Sequence, residues 1–142
     1  MRSWRVCRER YADLSGEGAR IFGGRWNRPG LPVVYTADNA ALATLEVRVH
    51  LDLPLDLLPP DYLLIELELG SASFERTEGL PADPAAFGTE WLASRRSAIL
   101  EAPSAIVPEC KNLLINPAHP QAGQVRVIRR RPFSFDARLW SS

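Results

Sequence analysis

The stretch GGRWNRPGLPVVYTADNAALATLEVRVH, residues 23–50, joins a glycine-rich turn, a short β-branched run and an alanine-rich segment. It carries one guanidinium, one phenol and one carboxylate, those of Arg25, Tyr35 and Glu46. The Gly-Gly pair lets the backbone approach a ligand closely, and Arg25 beside it is suited to forked hydrogen bonds with a phosphate or carboxylate. The alternative is that Arg25 only caps a turn while Trp26 anchors the core.

A strand and a capped helix are predicted within this stretch. Val33–Thr36 is rich in β-branched residues, which favour strands. Asp38 or Asn39 is suited to cap a helix over about 40–51. We expect the loop, strand and helix to bring the arginine and the carboxylate to a single cleft sized for a dinucleotide.

The predicted helix places its carboxylate beside an apolar face. Helical spacing puts three side chains on that face: Leu42, Leu45 and Val49. Glu46 borders this face, where a carboxylate needs a partner or performs chemistry, because buried acids are rarely left unpaired. An ion pair with Arg25 or Arg48 is the alternative.

Composition indicates a soluble globular protein with no polyanionic partner. The 142 residues fit one domain, residues 1–142, and are 46% hydrophobic and 24% charged. The formal net charge is zero, which argues against direct binding of nucleic acid by general electrostatics. Cys7 and Cys110 are too few for a disulfide scaffold, and the cysteines and histidines lack metal-ligand spacing, so no metal is expected.

The N-terminal sequence predicts a cytoplasmic location. Charges occupy the positions where a signal peptide needs its apolar residues. No apolar run approaches the length of a membrane span, about 18 residues, so no membrane contact is expected.

The rest of the chain is dominated by short strand signals. Strands are predicted over 3–8, 62–69, from 99 onward, 112–117 and 124–135. A second helix is predicted from Asp83 or Pro84 to about Ser97, and a loop over 13–24. The arginines at 129–131 fit the polar face and end of an edge strand. These signals predict an α+β fold with twisted, mostly antiparallel short strands and packed helices.

Five motifs, taken together, resemble the RES-domain family, which is named for an Arg, a Glu and a Ser. They are GGRWN at 23–27, VYTA at 34–37, ALATLE at 41–46 with His50, PSA at 103–105, and NLLINP at 112–117 with His119. Their order and their spread over nearly the whole chain make the resemblance more specific than any one motif.

The resemblance implies a toxin of a bacterial type II toxin–antitoxin pair with an ADP-ribosyltransferase-like fold. Such proteins consume NAD as a substrate: they cleave the nicotinamide–ribose bond by hydrolysis or phosphorolysis, or transfer ADP-ribose to a protein. The implied partner is an antitoxin with an Xre-like DNA-binding domain. Self-association into a homodimer is left open.

Four residues are the catalytic candidates implied by the resemblance. Arg25, Glu46 and Ser104 correspond to the name-giving residues, and Tyr35 accompanies them. Nicotinamide leaves NAD as a neutral molecule, so the site needs no general acid. It needs a group that stabilises an oxocarbenium-like ribosyl cation, which we assign to the carboxylate of Glu46.

Five residues are the candidates for binding NAD. Arg25, with Arg20, would hold the pyrophosphate by charge-assisted hydrogen bonds. Tyr35 would stack on nicotinamide or line its pocket. Ser104 would bond the nicotinamide amide or the ribose, and Asn112 belongs to the same set by resemblance.

Two other interpretations stay open at this point. Ser104 with His119 could form a Ser–His hydrolase, although no nucleophile-elbow glycines flank the serine. The domain could also lack catalysis and act as a partner-binding module.

Overall fold

Seven strands form one mixed sheet in the computed structural model, which describes residues 1–140. The strands are β1 (Arg2–Arg8), β2 (Val34–Ala37), β3 (Tyr62–Glu68), β4 (Phe74–Arg76), β5 (Ile99–Pro103), β6 (Lys111–Ile115) and β7 (Arg126–Pro132). Their order across the sheet is β4-β5-β6-β2-β1-β3-β7. Every neighbouring pair is antiparallel except β4 and β5.

Three α-helices accompany the sheet: α1 (Glu17–Phe22), α2 (Ala40–Arg48) and α3 (Pro84–Ser94). The Asn39 side chain accepts a hydrogen bond from the backbone of Leu42 and so caps α2. Asp83 caps α3 in the same way, with a proline at the first helical position. The α+β architecture predicted from the sequence is confirmed, and no helix within residues 1–140 is long and apolar enough to cross a membrane.

The two faces of the sheet carry different cores. Residues two apart on a strand share a face, so Val34 points to one face while Tyr35 and Ala37 point to the other. Val34 belongs to a large apolar cluster on the first face. On the second face, Tyr35 packs against a cluster built around Trp26, and Ala37 belongs to a cluster beneath α2. The second face therefore lies under both the glycine-rich loop and the helix that carries Glu46.

The predicted apolar face of α2 is wrong. Leu42 is buried, but Leu45 is 36% exposed and Val49 is 55% exposed. The helix instead turns Leu42, Ala43 and the half-buried Glu46 toward the protein. The inward side of α2 thus combines apolar packing by Leu42 and Ala43 with a carboxylate that accepts hydrogen bonds from the interior.

The predicted loop over 13–24 contains the short helix α1. Gly16 precedes this helix in the left-handed region, at φ 72°, which glycine adopts at little cost. Arg20 then pairs with Glu17 one turn earlier, at 2.8 Å. Composition alone hid the helix because glycine and serine dominate the segment.

The remaining elements follow the prediction with adjusted bounds. The second helix ends at Ser94, three residues earlier than predicted. It buries Trp91 and Leu92, as its spacing indicates. Phe74–Arg76 forms the short strand β4 between β3 and α3, and β7 is an edge strand with every residue exposed.

We expect Gly88→Ala to destabilise the fold by about 3 kcal/mol, because overpacking has no free space to relax into. A Cβ at Gly88 would overlap the carbonyl oxygen of Trp26 and lie 2.8 Å from its carbonyl carbon. Backbone cannot swing away, so α3 would have to move off the loop. Urea unfolding measures the loss.

The matched control is Gly123→Ala, since a Cβ there meets nothing within 4 Å. It should change the unfolding free energy by only about 0.5 kcal/mol. Equal stability of the two variants would contradict the close contact between α3 and the loop.

Candidate active site

The carboxylate of Glu46 is held by two neutral hydrogen-bond donors. The Ser104 hydroxyl donates to Oε2 at 3.0 Å, and the Asn112 side-chain amide donates to Oε1 at 2.7 Å. No ion pair within the part of the chain that the structure describes involves this carboxylate. The alternative of an ion pair with Arg25 or Arg48 is therefore wrong.

The hydroxyl of Ser104 has its direction fixed by the backbone. Its oxygen accepts hydrogen bonds from the amides of Ile106 and Val107, at 3.1 and 3.3 Å. Because a hydroxyl has one proton and two acceptor positions, that proton is left for Glu46. The sequence predicted the serine but gave no sign of these two amides.

Asn112 joins the helix to the sheet. Its amide also contacts the Thr36 carbonyl at 3.3 Å, so one side chain bridges β2, β6 and α2. Nearby, the Asp38 amide donates to the Lys111 carbonyl at 3.0 Å, and the Lys111 amide donates to the Asp38 carboxylate at 3.1 Å. The first turn of α2 is thus anchored where Asn112 leaves β6.

Burial raises the pKa of the Glu46 carboxyl above its ordinary value. The hydrogen bonds from Asn112 and Ser104 oppose this shift, and so does the nearby His50, which lies in the turn just after α2. A partly desolvated carboxylate without a cation partner is a site where positive charge developing on a ligand would be stabilised.

Arg25 occupies an exposed position in a tight turn. The backbones of Gly24 and Asn27 bond each other across it, at 2.9 and 3.4 Å. The next residue, Trp26, is 1% exposed and packs at the centre of its cluster, so its role as a core anchor is confirmed. The turn is held by the core while its arginine reaches solvent.

The hydroxyl of Tyr35 is bonded to this same turn. It accepts the Trp26 amide proton at 2.9 Å and donates to the side-chain oxygen of Asn27 at 2.6 Å. Burial raises the pKa of Tyr35 to about 12. Asn27 is 1% exposed. The sequence shows it only as the last residue of the GGRWN motif and assigns it no role of its own.

Tyr35 and Asn112 place the turn and the carboxylate on the same face of the sheet. Tyr35 pairs with Leu114 and Ala37 with Asn112, and paired residues share a face. Tyr35 and Asn112 are therefore diagonal neighbours, with Cα atoms about 7–8 Å apart. One of them bonds the loop of Arg25 and the other bonds Glu46.

Arg20, a predicted ligand of the pyrophosphate, is already paired with another side chain. The guanidinium of Arg20 is hydrogen-bonded to both carboxylate oxygens of Glu17, so a ligand would compete with this pair.

Two hollows of about 170 and 230 Å³ lie beside β7 and beside β4. Neither hollow is lined by Arg25 or Glu46. The dinucleotide-sized cleft expected between these two residues stays a prediction.

The Ser–His interpretation has no geometric support. Ser104 follows β5 next to the start of β6, whereas His119 comes after the end of β6. Those ends are about 13 Å apart at 3.3 Å per residue. The Nδ1 atom of His119 accepts the amide proton of Gln121, and the serine proton goes to Glu46.

Comparison with known proteins identifies the family. A family model described as RES domain matches residues 2–136. The Prs ADP-ribosylating toxin of Sphingobium sp. (strain YBL2) is 42% identical over 154 residues, which cover 96% of this chain and 94% of that protein. The NAD(+) phosphorylase MbcT of Mycobacterium tuberculosis (strain ATCC 25618 / H37Rv) is 63% identical over 35 residues, 24% of this chain and 19% of that protein.

The fold is also similar to a solved one. The crystal structure of the M. tuberculosis MbcT–MbcA toxin–antitoxin complex matches with a TM-score of 0.75 and 23% identity, over 94% of this chain and 84% of that chain. The α+β sheet and its inward-facing carboxylate thus sit in a fold known from a toxin. This chain belongs to the RES-domain family, and its relatives' names agree with the NAD-consuming enzyme predicted from the sequence.

We expect Glu46→Gln to change how the free energy of unfolding depends on pH. The folded protein binds the Glu46 proton more tightly than the unfolded chain, so wild type loses stability as pH rises from 4.5 to the raised folded pKa. Glutamine does not titrate. The variant's stability relative to wild type should therefore increase with pH across this window in urea unfolding.

Glu78→Gln, at an exposed position, controls for the loss of one negative charge. A difference between Glu46→Gln and wild type that stays flat, or falls as pH rises, would contradict the raised pKa.

Proposed function

We propose that this protein is a toxin of a bacterial toxin–antitoxin pair that depletes NAD by cleaving its nicotinamide–ribose bond. The observation that carries the proposal is the environment of Glu46. Its carboxylate is partly buried, is oriented by two neutral donors and makes no ion pair with any of residues 1–140. The names of the relatives support NAD as the substrate.

The reaction needs electrostatic help at one carbon. As the bond between C1′ of the ribose and the nicotinamide nitrogen breaks, the electron pair goes to nicotinamide, which leaves neutral. Positive charge develops on the ribosyl carbon and its ring oxygen. In our proposal the Glu46 carboxylate stabilises that charge, and water or phosphate forms the new bond to C1′.

Ser104 and Asn112 orient the carboxylate in this proposal. Both donate to Glu46 and thereby keep its two oxygens at fixed positions. Preorganised groups act on a transition state without the cost of reorganising at that moment. Both side chains already donate to the carboxylate. Direct hydrogen bonds from Ser104 and Asn112 to NAD stay predictions.

Arg25 supplies the cation for the pyrophosphate in the proposal. It is exposed and lies on the same sheet face as Glu46. A guanidinium suits phosphate oxygens because it donates in a planar fork. Arg20 would join it after leaving Glu17, and the Tyr35 ring would lie between the two groups.

An antitoxin partner is part of the same proposal. The structural neighbour was solved as a toxin–antitoxin complex, which supports a partner of that kind here. The Xre-like DNA-binding domain and a homodimer remain predictions that rest on the family resemblance alone.

Transfer of ADP-ribose to a cellular protein is the second candidate reaction, because the Sphingobium relative is named an ADP-ribosylating toxin. The two reactions differ in the acceptor. NAD labelled in the adenylate part, incubated with the protein in buffer, in phosphate and in cell extract, separates them. Label retained on protein shows transfer, and label found in ADP-ribose or its 1″-phosphate shows hydrolysis or phosphorolysis.

We expect Glu46→Gln to lower nicotinamide release from NAD by about a hundredfold to a thousandfold, the loss typical of one electrostatic stabiliser. The glutamine keeps the volume of the side chain but not its charge. Release is measured on the purified chain by chromatography, with circular dichroism as the check on folding.

Glu78→Gln removes a carboxylate from an exposed position and should release nicotinamide like wild type. Unchanged turnover in Glu46→Gln would remove Glu46 from the mechanism. A wild-type chain that neither consumes NAD nor arrests growth on expression would favour the partner-binding module instead.

A further inference from the structure

The turn that carries Arg25 is restrained far more than a surface turn needs. Its ends bond each other through the backbones of Gly24 and Asn27. The buried Trp26 side chain anchors it from below, and the backbone of Gly88 in α3 lies directly against the Trp26 carbonyl. Loops are normally the mobile parts of a fold, so this restraint calls for a reason.

Asn27 is the centre of the restraint. Its side-chain amide donates to the carbonyl of Ala19 at 2.9 Å, with longer contacts to those of Arg28 and Leu31 at 3.3 and 3.4 Å. Its side-chain oxygen accepts the Tyr35 proton. One buried amide therefore ties the turn to α1, to the following loop and to the sheet.

Tyr35 completes the arrangement from the sheet. Its oxygen accepts the Trp26 amide proton while its own proton goes to Asn27. A Cβ at Gly24 would lie 2.8 Å from this oxygen, so a residue with a side chain would crowd the phenol. Both sides of the Arg25 peptide are thus fixed, and the guanidinium is the free part of the turn.

We propose that Asn27 and Tyr35 are positioning residues, which lock the Gly24–Asn27 turn so that Arg25 presents its guanidinium to the pyrophosphate of the substrate. This inference rests on the proposed function for the identity of the substrate. It gives Tyr35 a role through its hydroxyl, distinct from stacking of its ring on nicotinamide, and it adds Asn27, which no motif interpretation had assigned.

The physical reason is entropic. A long arginine side chain loses rotamer freedom when it binds an anion, and a mobile backbone would add to that loss. Fixing the turn in advance leaves only the side chain to be ordered. The effect belongs to substrate binding, so it should appear in KM more than in kcat.

We expect Tyr35→Phe to raise the KM for NAD by about tenfold or more, the loss of roughly one charge-assisted contact, with a smaller change in kcat. Phenylalanine keeps the ring, so a stacking role alone would leave KM unchanged. Hydrogen exchange of the Trp26 amide should accelerate in the same variant, since its acceptor is gone.

A double-mutant cycle with Arg25→Gln shows whether Tyr35 acts through the arginine. If it does, Arg25→Gln with Tyr35→Phe should have the same kcat/KM as Arg25→Gln alone. Effects that multiply would overturn the inference. Asn27→Asp should match Tyr35→Phe in direction, and Arg28→Gln, whose side chain pairs with Asp83, is the control for lost charge in the same loop.

Calorimetric binding of ADP-ribose to the full chain separates this inference from the proposed function, because it needs no turnover. If wild type does not consume NAD but binds ADP-ribose, and Tyr35→Phe weakens that binding about tenfold, the proposed function fails and the positioning role stands. Equal binding by wild type and Tyr35→Phe, or no binding by wild type, overturns the positioning role.

Discussion

The hydrogen bonds that Ser104 and Asn112 donate to Glu46 are the interaction around which the second face of the sheet is arranged. A carboxylate removed from water without partners costs far more than a small domain can tolerate. Two neutral donors make its burial possible without neutralising its charge. They come from the end of β5 and the start of β6, so the central strands must keep their register for the carboxylate to be satisfied. Helix α2, anchored at Asp38 and capped by Asn39, supplies the carboxylate itself.

The two charged groups on this face, Glu46 and Arg25, are held in different ways. Around Glu46 the chain supplies hydrogen bonds but, within residues 1–140, no ion pair, so its charge is retained. Around Arg25 it supplies a rigid backbone but leaves the guanidinium in solvent. The two opposite charges are therefore not paired with each other among the described residues. In our proposal the carboxylate faces the positive centre of NAD and the guanidinium faces its pyrophosphate.

Local patterns sufficed for much of the fold, whereas the candidate site residues came from the family resemblance and stay predictions. The caps of α2 and α3, the buried Trp26, the exposed edge strand β7 and the α+β class follow from spacing and side-chain type. The inward face of α2 did not, because periodicity treats a glutamate as polar, whereas its donors lie 58 and 66 residues further along the chain. The clamp formed by Tyr35 and Asn27 was hidden for a similar reason: an amide's partners depend on which strands become neighbours, and composition does not encode that. Helix α1 was missed because it is short and flanked by glycines at positions 16, 23 and 24, so the segment resembles a loop.

The high pKa of Tyr35, about 12, has a consequence for how acidity acts on this protein. The phenol keeps its proton at every pH that a living cell experiences, so the bonds that hold the arginine's turn do not respond to acid or base in that range. Burial raises the pKa of the Glu46 carboxyl, so that carboxyl takes up its proton more readily than an exposed glutamate does. Protonation of this carboxyl would therefore remove its charge without touching the bonds that hold the turn of Arg25. In our proposal the acid sensitivity of the protein therefore belongs to its reacting carboxylate and not to the phenol that fixes the turn.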